Sequence, residues 1–281
     1  MKPKFYRKVL KNGMTVILEK RNLPVVSVAF AARCGGINES SSEKGISHFV
    51  EHLLYKGTPK RNSKKISEEI EKNGGILNGF TDETVTAYWC KMPSKHINTA
   101  LDVLSDMVKN PLFDEKEIEK EKQVIFEEIK MYKDSPSNYV FHEIQRSLYK
   151  EPFGSPLIGT EKTLNSLTRE KIIERFKQVY QPNKMILCVV GNADFNKLVQ
   201  FAEKNFGNKK GKVPSFNILK RNESKILKRK GIDQANLIFA YHVPCSKEKK
   251  SHAAHVLNTL MADGMSSRLF SEIREKRNLA Y

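Results

Sequence analysis

His48, Glu51 and His52 stand within five residues, in the order His-Phe-Val-Glu-His. Read as a helix, these three and Tyr55 fall on one arc, while Ile46, Phe49, Val50, Leu53 and Leu54 fall on the other. An ordinary amphipathic helix would carry solvated Lys and Glu on its polar arc. Two imidazoles one turn apart can both reach one Zn²⁺ at roughly 2.0–2.1 Å. A carboxylate three residues after the first His stands beside such a metal, where it can take a proton from a water. The order is the inverted form of the H-E-x-x-H zinc-hydrolase motif. So short a pattern also arises by coincidence on surface helices. A third ligand is what discriminates.

Residues 114–132 read as a helix whose apolar stripe is Ile118, Ile125, Ile129 and Tyr132. At 100° per residue, Glu121 and Glu128 lie within about 60° of the centre of that stripe, and Glu127 points some 200° away. A carboxylate on an inward face is costly unless something pairs with it. A buried Lys or Arg would serve, and so would a metal. Glu128 is therefore the candidate third ligand and Glu127 an ordinary surface residue. A His₂Glu set suits zinc, one ion per chain, ahead of Mn²⁺ or Co²⁺.

The elements that must position these groups follow from the flanking sequence. Residues 4–20 predict a hairpin about Lys11-Asn12-Gly13, and residues 25–32 a buried strand ended by Gly35-Gly36. Ser40, Ser41, Ser42 and Glu43 offer N-caps just before the His-bearing helix. A helix over 63–73, two strand segments within 78–91 and a helix over 95–109 precede the Glu-bearing helix. Helical sequence over 138–149, a helix capped by Thr168, a strand over 185–190 and a helix over 195–205 follow. Residues 207–228 are polar, Lys-rich and carry Pro214, as a linker would. Then the order begins again: a strand over 235–241, a helix over 252–260, Gly264, and a helix over 266–276. Setting Gly264 against Gly57 places His255, Asn258 and Thr259 where His48, Glu51 and His52 stand. One His survives, but the base and the second ligand do not, so the second unit has no zinc site of this kind.

At 281 residues and 39% apolar, the chain can bury a substantial core. Its net charge of +17, from 49 Lys and Arg against 32 Asp and Glu, could attract nucleic acid. The lysines are spread along the chain without a compact basic tract interleaved with aromatics, so nucleic acid is not the expected partner. Cys34, Cys90, Cys188 and Cys245 form no C-x-x-C pair and read as reduced thiols. No signal-peptide core or bilayer-length apolar run is present, so the expectation is a cytoplasmic protein with no membrane contact.

The chain resembles the pitrilysin-type zinc peptidases, most closely the processing-peptidase branch that includes the mitochondrial processing peptidase. The resemblance runs through His48-Phe-Val-Glu51-His52 with Lys56-Gly57-Thr58, Asn78-Gly-Phe-Thr81, Glu121-Lys-Gln-Val-Ile-Phe-Glu-Glu128 and Pro182-Asn183-Lys-Met before Gly191. It ends at Gly264-Met-Ser-Ser-Arg268-Leu-Phe and Arg274-Glu-Lys-Arg-Asn-Leu-Ala-Tyr281. The family's third ligand is a Glu about 76 residues past the second His, which falls on Glu128. The resemblance implies zinc on His48, His52 and Glu128, Glu51 as general base, and Glu121 as the carboxylate that orients the ligands. It also implies peptide substrates added as a strand beside Asn78, Gly79 and Phe80, with Arg274 and Tyr281 holding the substrate and steadying the oxyanion.

The expected fold is α+β: two homologous units of mostly antiparallel sheet covered by helices, the second incomplete. Residues 1–210 would form the zinc-binding peptidase domain, 211–228 a linker and 229–281 the start of the second, non-zinc domain. The resemblance implies a second unit about as large as the first, so this chain is expected to be a fragment or to be completed by a second copy or another subunit. The expected function is zinc-dependent endopeptidase. The alternative is a non-catalytic or partner-dependent peptide-binding subunit of a processing-peptidase-like complex.

Overall fold

Lys4–Val9 (β1) and Thr15–Lys20 (β2) pair antiparallel across a turn in which Gly13 takes φ +88°. The Asn12 side chain fixes that turn by accepting from Met14 N at 3.0 Å and donating to the carbonyls of Phe206 and Gly207. Val25–Ala32 (β3), Ile76–Thr81 (β4), Thr86–Pro93 (β5) and Met185–Gly191 (β6) complete a six-stranded sheet in the order β1-β2-β6-β3-β5-β4. Only β2 and β6 run parallel; the other neighbours are antiparallel. Strict alternation along β3 buries Val26, Val28, Phe30 and Ala32 on one face.

The protein is described here by a computed structural model over residues 3–208, 211–212, 215–231 and 233–280. Eight of its helices belong with the sheet: α1 (Ile46–Leu54), α2 (Ser63–Glu71), α3 (Ile97–Lys109), α4 (Glu115–Asp134), α5 (Pro136–Leu148), α6 (Glu161–Asn165), α7 (Arg169–Val179) and α8 (Phe195–Asn205). α1 packs on β4 and β5 and against α4 and α7, while α3 lies on β3 and β5. Phe49, Val50, Leu53 and Leu54 carry α1 into the same core as Ile118, Ile125 and Ile129 of α4. The fold is mixed α+β, with β4 at one edge of the sheet and next to α1.

The chain divides into two compact units, Met1–Leu237 and Ile238–Tyr281. Part of the segment expected as a linker, residues 211–228, is laced to the first unit. Lys150 N donates to Leu219 O, Arg221 N to Leu148 O and Glu223 N to Ser147 O. The second unit holds α9 (Ser251–Ala262) and a π-helical turn, Phe270–Glu275, in place of the α-helix expected over 266–276. The strand expected over 235–241 does not form. Its period-2 pattern persists, with Leu237, Phe239 and Tyr241 exposed, but the backbone has no ladder partner among the described residues.

Candidate metal centre

α1 begins at Gly45, which takes φ +93° and has no side chain to cap the helix. The first free amides of a helix still need acceptors. The buried carboxylate of Glu39 supplies them, accepting from Gly45 N at 3.0 Å and Ser47 N at 2.7 Å. The expected serine caps are thus corrected: Ser41–Glu43 form a short 3₁₀ turn of their own. Burial pushes the Glu39 carboxyl up, against the pull of those amides and of Lys44. Beyond the other end of α1, Gly57 takes φ +135° and Thr58 Oγ1 donates to Asp106 Oδ2 at 2.7 Å. Arg61 donates to the same oxygen at 2.8 Å and also binds Asp102 and Glu69. The segment bearing the two imidazoles is therefore tied down before and after the helix.

α4 lies against α1. Asp114 caps it by accepting from Lys116 N and Glu117 N, and its buried isoleucines set its rotation. That rotation turns Glu128 toward α1 with its side chain 25% exposed, and leaves Glu127 71% exposed and paired with Lys130 at 2.6 Å.

His48, His52 and Glu128 meet. Nε2 of His48 lies 3.8 Å, and Nε2 of His52 3.9 Å, from Oε2 of Glu128. One ligand atom from each of the three lies within 4.8 Å of the others, and this is the group of metal-ligating type found among the described residues. Tetrahedral ligands at roughly 2.0–2.1 Å from a zinc ion sit roughly 3.4 Å apart. The donor set is of the type zinc takes, with the two imidazoles each about 0.5 Å further from Glu128 than that spacing.

The surroundings favour the same role. Nδ1 of His52 lies 3.1 Å from Oε2 of Glu121, which leaves Nε2 to face Glu128. The other oxygen of Glu121 pairs with Lys56 Nζ at 2.6 Å. So the inward carboxylate at 121 does have its lysine, whereas Glu128 has no Lys or Arg partner among the described residues. Burial opposes ionisation of Glu121, but the hydrogen bonds from His52 and Lys56 outweigh it and hold the carboxyl low. Burial, and next the neighbouring His52, pulls His48 down to about 3, so its imidazole stays neutral, as a metal donor must be. Its buried Nδ1 has no protein partner. Glu128 is pushed up by burial against His52 and a hydrogen bond from Tyr132 one turn on.

Glu51 stands on the same face of α1, and its Oε2 accepts from Thr81 Oγ1 at 2.7 Å. Burial raises its carboxyl, partly offset by Thr81 and His52, while Glu128 adds to the rise. Thr81 closes β4, whose residues Asn78, Gly79 and Phe80 lie on the edge strand beside Glu51. Asn78 and Phe80 face outward, and Asn78 Oδ1 accepts from Gly79 N at 2.8 Å. Arg274 belongs to the second unit, where its guanidinium lies 4.9 Å from the Phe270 ring and 4.0 Å from Glu275. Tyr281 lies outside the described residues.

Sequence reasoning missed Thr81, Lys56, Tyr132 and Glu39 as parts of this site. Two of them carried a local signal: Lys56 is one turn past His52, and Tyr132 one turn past Glu128. Thr81 and Glu39 reach the site only through tertiary contacts.

Comparison with known proteins adds an independent finding. The family model for insulinase (peptidase family M16) matches residues 15–161, and that for the M16 inactive domain matches residues 166–281. An uncharacterised zinc protease of Rickettsia felis is 36% identical over 287 residues, covering 100% of this chain and 69% of its own length. One of Bacillus subtilis is 35% identical over 280 residues, covering 98% and 68%. Among solved structures, a protease from Helicobacter pylori is similar with a TM-score of 0.87 at 25% identity, covering 99% of this chain and 70% of that one. An M16 inactive domain from Pseudomonas fluorescens gives a TM-score of 0.79 at 16% identity, covering 100% and 69%, a likeness of fold.

Proposed function

This chain belongs to the insulinase family of peptidases, family M16, and on that premise we propose that it is a zinc-dependent endopeptidase acting on extended peptides. His48, His52 and Glu128 hold one metal ion, and Glu121 fixes the ring of His52 through Nδ1. When bound there, zinc supplies a Lewis acid for the scissile carbonyl and lowers the pKa of water to about 7. Glu51 takes the proton of the attacking water and returns it to the leaving amine. Its carboxyl, raised by burial, holds that proton more readily than a solvated one would.

The substrate adds as a strand along the open edge of β4, where backbone pairing at Asn78, Gly79 and Phe80 gives affinity without a demanding sequence. No helix among the described residues is long and apolar enough to cross a membrane, and the cytoplasm is the proposed location. A second reading, activity only with a partner chain, is favoured by the exposure of Val256, Leu257 and Leu260 on α9.

The observation that supports the main reading is the convergence of two imidazoles and one lysine-free carboxylate, with Glu51 beside them on α1. Cleavage of a quenched-fluorescence peptide library by the zinc-loaded chain tests it. Glu51→Gln should cut turnover by about 10²–10⁴-fold at unchanged zinc content. Retained turnover in that variant contradicts the role of Glu51.

A further inference from the structure

β4 passes over α1 with Leu77, Gly79 and Thr81 on its inner side. A methyl group on Gly79 would stand 2.5 Å from the Tyr55 hydroxyl oxygen, 3.0 Å from the Ala87 carbonyl oxygen and 3.3 Å from Oε1 of Glu51. The backbone of Gly79 lies outside the left-handed region, so conformation alone does not require glycine there. Space does. The Tyr55 hydroxyl sits in the notch that the missing methyl leaves, and the oxygen of Glu51 that Thr81 does not hold borders the same notch. It is buried and has no hydrogen-bond partner. The ring behind it packs on Tyr88, centroids 6.0 Å apart, and the Tyr88 and Tyr180 hydroxyls meet at 2.7 Å.

We propose that Tyr55 and Gly79 are a matched pair of positioning residues that, with Thr81, confine the Glu51 carboxylate to one rotamer beneath β4. Thr81 ties Oε2, and the hydroxyl seated under Gly79 limits the movement of Oε1. The proposal rests on the reading of Glu51 as general base. It makes residues 55 and 79 interdependent: a larger side chain at 79 is compatible with a smaller one at 55. In the zinc-free chain, Gly79→Ala should lower Tm by roughly 3–8 °C, the range for an overpacked site in a domain of this size. The double variant Tyr55→Phe with Gly79→Ala should regain more than half of that loss. In the zinc-loaded chain at matched zinc content and saturating peptide, Gly79→Ala should lower kcat roughly tenfold, because a displaced base slows the reaction whatever the change in peptide affinity at β4. The double variant should recover kcat.

Additive Tm losses overturn the pairing whether or not the wild type cleaves peptides. Restored Tm without restored kcat overturns the positioning role. A wild type that cleaves nothing refutes the peptidase reading instead. In that case a Tm cycle between Tyr55→Phe and Glu51→Gln decides the proposal: coupling supports it and additivity overturns it.

Discussion

Nδ1 of His52 lies 3.1 Å from Oε2 of Glu121, and this contact decides which face of the imidazole looks toward Glu128. It joins the two helices through a charge-assisted bond and leaves Nε2 with its lone pair free. The same carboxylate holds Lys56 on its other oxygen, so Glu121 is fixed from two sides.

Glu121→Gln keeps the shape but loses the charge that polarises His52. Partners of this type are worth about 10–100-fold in metal affinity. Zinc affinity, measured by competition with a chromogenic chelator, should fall by that amount, whereas Glu127→Gln, on the solvated side of α4, should leave it unchanged. Equal effects would contradict the helix-face assignment.

Glu121 also leaves a mark on acid stability. Burial raises its carboxyl, but His52 and Lys56 together bring the folded value below the ordinary 4.5. A carboxyl with a depressed folded pKa stabilises the fold above its unfolded value, and that contribution is lost as pH falls through the folded value. In urea titrations of the zinc-free chain, the stability gap between wild type and Glu121→Gln should shrink as pH falls below about 4.5. A gap that widens on acidification would contradict the assignment.

Glu39→Ala should destabilise the chain by about 1–3 kcal/mol, because Gly45 N and Ser47 N would lose a buried acceptor. Loss of the cap at the start of α1 should also weaken zinc binding, since His48 lies in the first turn. Ser41→Ala is the control, for its hydroxyl binds Glu151 and not the helix. Urea midpoints and the same chelator competition check both. A Ser41→Ala effect as large as that of Glu39→Ala would restore the serine-cap reading.

Most helices and strands up to Asn205 were legible because they have a buried face with a clear period, as in β3 or in the Ile118, Ile125 and Ile129 stripe of α4. β1, exposed throughout, was legible only from the turn that follows it, and the five-residue α6, with Leu164 alone buried, was not legible at all. The α4 stripe distinguishes Glu128 from Glu127 by sequence position alone. Residues 235–241 show why alternation is not enough: a strand also needs hydrogen-bond partners, which a local pattern does not reveal. Glu39 was hidden for a related reason. Three serines next to α1 were the better local caps, yet the turn at Gly45 brings a residue from further back onto the helix start. Thr81 and Tyr55 were visible as residues, but their relation to Glu51 depends on β4 crossing α1, which is tertiary information.

The central claim is that His48, His52 and Glu128 form one zinc site. The most direct test is elemental mass spectrometry of the purified chain after exhaustive dialysis, alongside Glu128→Gln and Glu127→Gln, with folding of each checked by circular dichroism. The account predicts about one zinc per chain for wild type and Glu127→Gln, and little for Glu128→Gln. Folded wild-type chain that neither retains zinc nor takes it up would contradict it.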